Sequence, residues 1–256
     1  MFNLEREFRD FEAYKDNIFE RDGLMKQIIA MGGGGFTMEP DNPLLDQYIL
    51  NQSSKKKPKI CFVPTASGDQ AEYIQSFYQT FEKMDCQPMH LSFFEANFEN
   101  LEEYILQQDI IYIGGGSTRN MLLIWENWGM GEALKKAYEN GIILAGISAG
   151  SNCLFEEAVT DPLNASLYML NGLGLLKGSY CPHYDGEEKR RPSYHQMILR
   201  GDIQEGYGVD DSAALHFIDG SLHKSVSSTI STKAYTVKKE NCIIIEKPID
   251  TIFLGE

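Results

Sequence analysis

Apolar residues in this chain come in short continuous runs separated by stretches with helical spacing. Such runs lie within residues 26–31, 59–64, 88–93, 109–113 and 142–147. Runs of four or more apolar residues, as at 28–31, 60–63, 110–113 and 142–145, are too continuous to alternate and predict strands buried on both faces. Between them, spacing of three and four predicts helices over 43–51, 71–84, 101–106, 121–125 and 133–139, with another over 149–158. Strands alternating with helices predict a mostly parallel sheet covered on both sides. After a further helix over 194–199 the pattern changes. Residues 213–218 and 242–245 look like strands, and Asp219-Gly220 carries a hairpin signal, so the sheet is expected to end in antiparallel strands. Residues 1–24 differ again: Leu4, Phe8, Phe11 and Ile18 fall at helical spacing among charges, which predicts an amphipathic helical extension. Residues 25–256 then form one α/β domain.

Length permits that reading, since 256 residues can enclose one large core. The net charge of −14 disfavours nucleic acid, and no stripe of Lys or Arg offsets it. Lys55-Lys56-Lys57, beside Pro58, reads as a solvated loop. Five widely spaced cysteines without a C-x-x-C pair argue against a disulfide framework and against zinc. No metal or other cofactor is therefore expected. No apolar run approaches the roughly 20 residues of a membrane span. The acid-rich start lacks an apolar signal core, so a cytoplasmic protein with no membrane partner is expected.

The chemistry gathers at strand ends. The run 142–147 enters Gly146-Ile147-Ser148-Ala149-Gly150, a G-x-S-x-G pattern between a strand and a helix. That context makes a sharp turn exposing the serine oxygen, with helix N–H groups and dipole available to an oxyanion. A plain glycine-rich turn with a capping serine is the competing reading. A serine nucleophile needs a base, and five histidines are available. His183, in Cys181-Pro182-His183-Tyr184-Asp185-Gly186, follows an expected strand end, where open α/β sheets bind ligands. Asp210 and Asp211 offer an orienting carboxylate; as neighbours in an extended stretch they face opposite ways, so one at most can serve. The loop Gly114-Gly115-Gly116 lacks the lysine of a phosphate loop and suits a backbone donor to an oxyanion.

Four segments in order, Gly114-Gly115-Gly116-Ser117-Thr118, Gly146-Ile147-Ser148-Ala149-Gly150-Ser151-Asn152, Pro182-His183-Tyr184 and Gly208-Val209-Asp210-Asp211, resemble the peptidase E family. The resemblance runs from about residue 26 to the C-terminus and includes Gly32-Gly33-Gly34-Gly35-Phe36 and Val63-Pro64-Thr65-Ala66-Ser67. That family holds α-aspartyl dipeptidases and, more distantly, cyanophycinases. The resemblance implies a flavodoxin-like fold of the class I glutamine amidotransferase type. It implies a nucleophile at Ser148, a base at His183 and an acid at Asp211, with Asp210 or Asp161 as alternatives. Oxyanion donors fall on Ala149 and on Gly115 or Gly116. Substrate contacts fall on Ser117, Tyr184, Arg190 and Arg191, although the stretch after His183 is shorter than in the dipeptidases. The implied activity is hydrolysis of short peptides, with Asp-first dipeptides a candidate class, through an acyl-enzyme. The expected partners are a small peptide substrate and, at most, a second copy of the chain.

Two other readings compete. An esterase of the α/β-hydrolase type orders its triad serine, acid, histidine, which would pair Asp210 or Asp211 with His216 or His223. A non-catalytic binding protein on the same fold is the third. Glutamine amidotransferase chemistry is disfavoured because the elbow carries Ser148, with Cys153 a helical turn beyond.

Overall fold

The computed structural model describes residues 25–161 and 167–255, so the helix expected over 1–24 lies outside the described residues. The first half of the chain supplies β1 (Gln27–Met31), β2 (Lys59–Val63), β3 (Gln87–His90), β4 (Ile110–Ile113) and β5 (Ile143–Ile147). Among and after them run α1 (Gly35–Met38), α2 (Leu44–Leu50), α3 (Ala71–Phe81), α4 (Leu101–Leu106), α5 (Thr118–Trp128), α6 (Met130–Glu139) and α7 (Ala149–Asn152). The second half supplies β6 (Phe155–Thr160), β7 (Tyr168–Asn171), β8 (Leu176–Cys181), α8 (Arg190–Arg200) and β9 (Gly206–Val209). It ends with β10 (Ala213–Ile218), β11 (Ser221–Ser227), β12 (Ala234–Glu240), β13 (Ile243–Ile249) and β14 (Thr251–Phe253).

One sheet runs β14-β11-β10-β1-β5-β4-β2-β3, with β1 to β5 mutually parallel and β10 antiparallel to β1. Strand alternation explains why its runs are continuously apolar. Ile28, Ala30, Cys61, Val63, Ile111 and Ile113 face one layer, which Ile105, Met121, Trp125 and Leu134 of α4 to α6 complete. Ile29, Met31, Ile60, Phe62, Ile110 and Tyr112 face the other, completed by Phe36, Leu45, Ile49, Phe77 and Phe81 of α1 to α3. The expected α/β sheet with helices on both faces is present. β10 turns into β11 at Asp219 and Gly220, whose φ angles of 51° and 75° are those of a two-residue primed hairpin turn.

Two expectations are corrected. The helix expected over 149–158 stops at Asn152, and Phe155–Thr160 is a strand. Residues 242–245 do not close the first sheet; they open β13, the edge of a second sheet in the order β13-β12-β9-β8-β6-β7. In both cases tertiary pairing overrides local pattern. β6 is flanked by β7 and β8, and Phe155 stacks on Tyr180 with ring centres 4.7 Å apart. Phe155, Tyr180, Val209 and Ala234 belong to the same apolar cluster as Ile28 and Leu215, so the second sheet packs against the first. The chain crosses between the sheets just after Ser148 and again between Asp210 and Ala213. Among the described residues, no helix is long and apolar enough to cross a membrane.

Candidate active site

The C-terminal ends of β1, β5, β4 and β2 open onto one edge of the sheet, where open α/β sheets hold their ligands. Ser148 stands at that edge with φ 54° and ψ −110°, a strained backbone for a residue with a side chain. The flanking glycines answer to space. A Cβ on Gly146 would collide with the Gly150 carbonyl, and one on Gly150 with the Ile113 carbonyl. The Ser148 N–H donates to the Met31 carbonyl at 3.1 Å, and the buried Ser151 hydroxyl lies 2.7 Å from the Gly146 oxygen, so the turn is pinned to β1 and β5. Because α7 has four residues, little macrodipole builds up behind the serine. What remains of the expected helix effect is local: Ala149 opens the turn, and its N–H has no partner within α7.

β8 delivers His183 to the same edge, again with a positive φ of 50°. Its Nε2 lies 2.8 Å from Ser148 Oγ and its Nδ1 2.6 Å from Asp211 Oδ1. Asp211 sits in the crossing between β9 and β10, where its N–H donates to Asp185 Oδ1 at 2.9 Å. Side chains are excluded around this carboxylate, since a Cβ on Gly33 would strike Asp211 Oδ1 and one on Gly186 would strike Oδ2. Asp210 is engaged elsewhere, and Asp211 lies in a turn instead of the extended stretch expected for the pair. Asp210 is buried, its Oδ2 accepts the Lys233 N–H at 3.0 Å, and burial pushes its carboxyl up to about 6. Asp161, just beyond β6, lines a groove along α8 with Glu187, Gln196 and Arg200.

Other expected site residues are arranged differently. Gly115 lies against Ser148: the place its Cβ would take is 3.6 Å from Ser148 Cβ. Yet its N–H already donates to the Tyr73 phenol oxygen at 3.1 Å, so it is not free in this state to meet an oxyanion. Gly116 has φ 136° and packs on the Ala66 carbonyl. Ser117 caps α5, its Oγ accepting the Asn120 N–H. Tyr184 is 1% exposed and its hydroxyl binds Glu246 at 2.7 Å and His195 at 2.8 Å, which leaves it no group for a substrate. Arg190, 6% exposed, is held by both oxygens of Glu187. Arg191 forks onto both oxygens of Glu246 and lies over the rings of Tyr184 and Tyr235, 5.1 and 4.8 Å from their centres. Burial would raise the Glu246 carboxyl, but hydrogen bonds from Arg191, Tyr184 and His195 hold it below its ordinary value.

The histidines that an esterase order would need are elsewhere. His216 is buried on β10, with Nδ1 2.7 Å from the Tyr48 hydroxyl and Nε2 3.0 Å from Gln27 Oε1. His223 packs on it from β11 at 5.6 Å between ring centres. Sequence reasoning missed Tyr73 and Glu246, because a tyrosine at one position of an amphipathic helix reads as core and a lone glutamate in a strand reads as surface. Among the described residues there is no cluster of three or more His, Cys, Asp or Glu able to hold a metal.

Comparison with known proteins adds to this geometry. The sequence pattern of peptidase family S51 matches residues 28–225. An uncharacterized peptidase of Bacillus subtilis (strain 168), YgaJ, is 54% identical over 231 residues, which cover 90% of this chain and all of that protein. Peptidase E of Actinobacillus pleuropneumoniae serotype 5b (strain L20) is 24% identical over 206 residues, covering 75% of this chain and 86% of that one. In fold, a crystal structure of a peptidase from an acI-B1 Actinobacterium superposes with a TM-score of 0.65 at 20% identity, over 91% of this chain and 97% of that one.

Proposed function

The chain belongs to peptidase family S51 and is a serine peptidase; from that premise we propose that it hydrolyses short peptides, dipeptides foremost, through an acyl-enzyme on Ser148. The observation that carries this reading is the unbroken chain of hydrogen bonds from Asp211 through His183 to Ser148. With Nδ1–H donating to the Asp211 carboxylate, the Nε2 lone pair faces the serine hydroxyl and can take its proton. Ser148 Oγ then bonds to the scissile carbonyl carbon, and the carbonyl π pair moves onto its oxygen. When that oxyanion collapses, the C–N bond breaks and His183 returns the proton to the leaving amine. Water, deprotonated by the same imidazole, releases the acyl group. The Asp211 carboxylate fixes the tautomer and stabilises the imidazolium without itself accepting a proton.

Specificity follows from charge already neutralised. A free guanidinium beside the site would grip an acidic first residue by a bidentate contact. Arg191 already makes that contact with Glu246 and Arg190 with Glu187. A weak preference for Asp-first over neutral dipeptides is therefore the expected pattern. The test is a panel of dipeptides and dipeptide amides with Asp or Leu first, given to the parent enzyme and to Ser148→Ala. Turnover of neutral dipeptides that vanishes in the folded variant supports the reading. A panel left intact by the parent enzyme sinks it.

A further inference from the structure

Deepening the Ser148 reading and resting on it, we propose that Tyr73 is a catalytic residue whose phenol O–H donates to the reaction oxyanion. The Gly115 N–H, in this view, aims and polarises the phenol instead of binding that oxyanion itself.

Tyr73 enters from the first turn of α3 and is fixed by packing. Its ring centre lies 4.9 Å from that of Phe62 and 5.5 Å from that of Phe36. Gly114 makes room for it, since a Cβ there would come within 3.1 Å of the Tyr73 ring. The phenol oxygen accepts the Gly115 N–H at 3.1 Å and lies 3.2 Å from Thr37 Oγ1. Either hydroxyl of the Thr37–Tyr73 pair can donate; in the arrangement the proposal requires, Thr37 donates and the phenol keeps its own hydrogen for a third partner. Donation into an oxygen makes its hydroxyl a better donor in turn.

Ser148 stands beside the same glycine. The place a Gly115 Cβ would occupy is 3.6 Å from Ser148 Cβ, 3.6 Å from the Ile147 carbonyl oxygen and 3.9 Å from the Tyr73 hydroxyl oxygen. Ser148 and the phenol thus both border the space that Gly115 leaves open by having no side chain. Burial also raises the phenol's pKa above its ordinary value, which keeps the O–H intact as a donor through the neutral range. As the Ser148 Oγ–carbon bond forms, the Ser148 proton goes to His183 and the π pair to the carbonyl oxygen. Tyr73 retains its proton and strengthens its hydrogen bond to that oxygen as the charge grows. On collapse the pair reforms the carbonyl and the leaving group departs with the proton from His183. A contact that strengthens with charge lowers the barrier more than it tightens ground-state binding.

Tyr73→Phe keeps the ring and removes the donor. It is to be compared with the parent on the p-nitrophenyl ester of an N-acetyl amino acid, which needs an oxyanion donor whatever the natural substrate. A boronic acid that forms a tetrahedral adduct on Ser148 reports the same donor without turnover. Loss of one such donor is expected to lower kcat by about 10²-fold. KM is expected to stay within about threefold, with boronate affinity falling alongside kcat and the melting temperature falling by only roughly a few degrees as the Gly115 N–H loses its acceptor. A Tyr73→Phe enzyme with unchanged or faster turnover overturns the proposal, because the phenol then only competes for the Gly115 N–H. A kcat loss with unchanged boronate affinity also overturns it, as a packing role. If dipeptides are inert while ester turnover depends on both Ser148 and Tyr73, the peptide reading falls and the Tyr73 assignment stands. If the ester is cleaved equally by Ser148→Ala, both fall.

Discussion

His183 and His216 each have both ring nitrogens engaged, yet only one environment suits a general base. His183 bonds a carboxylate on one side and a serine hydroxyl on the other, with about a fifth of its side chain open to solvent. His216 bonds Tyr48 and Gln27, both neutral, inside the layer between β1 and α2. Burial, with His223 and Lys224 nearby, pushes it down to about 4, so it stays neutral and inert. A hydrogen-bonded histidine is common. A histidine whose imidazolium would be stabilised by a carboxylate, and whose other nitrogen meets a hydroxyl on a strained turn, has the arrangement that general-base catalysis requires.

Substitution should separate the two sharply. His183→Ala is expected to lower kcat by about 10⁴-fold or more with little change in stability. His216→Ala should leave kcat of the folded protein within a few-fold and lower stability by roughly 1–3 kcal/mol, since it strands the half-buried Tyr48 hydroxyl and the buried Gln27 amide. Urea unfolding beside steady-state kinetics reads both. Equal kinetic damage from the two variants would erase the distinction.

The acids make the next contrast. Asp211→Asn is expected to cost about 10³- to 10⁴-fold in kcat by spoiling the imidazole tautomer. Asp210→Asn, whose side chain meets the Lys233 backbone, should cost less than about tenfold. A dead Asp210→Asn beside an active Asp211→Asn would reverse their roles.

Smaller effects come from titration and from the arginines. His216 has a folded pKa of about 4, below its unfolded value near 6.5. Its stabilising contribution is therefore complete above pH 6.5 and lost as pH falls toward 4. Over that window the parent should lose roughly 2–3 kcal/mol relative to His216→Gln, measured as the difference between their unfolding free energies. A constant difference across the window would contradict the neutral, buried assignment. Smallest of all, Arg191→Ala should change the Asp-first to Leu-first rate ratio by less than about threefold, because Glu246 already holds the guanidinium. A collapse of that ratio would make Arg191 the specificity residue after all.

The two regions also show what a sequence reveals. β1, β2, β4 and β5 could be read directly because burial on both faces forces continuous apolar runs. The segments around Ser148, His183 and Asp211 were legible as ordered motifs, and the resemblance they carry chose among five histidines. The second sheet was legible only in pieces: the end of β8 and part of β13 read as strands, but not as a separate sheet. β9 is Gly206-Tyr207-Gly208-Val209, and Gly208 is glycine because any Cβ would meet the Tyr184 ring at 2.7 Å, so packing itself removed the apolar signal. β6 was hidden because Phe155-Glu156-Glu157-Ala158-Val159 continues a helical pattern, and its partners β7 and β8 are set by pairing no local rule announces. Tyr73 was invisible for a related reason. Its role depends on a glycine 42 residues away in sequence.

The most direct measurement is intact-protein and peptide mass spectrometry after rapid quenching of the enzyme with an activated amino-acid ester. The expected result is an added acyl mass on the peptide containing Ser148, absent in Ser148→Ala and greatly reduced in His183→Ala. An acyl group found on another residue, or a folded Ser148→Ala protein that hydrolyses peptides at the parent rate, would contradict the assignment of Ser148 as nucleophile.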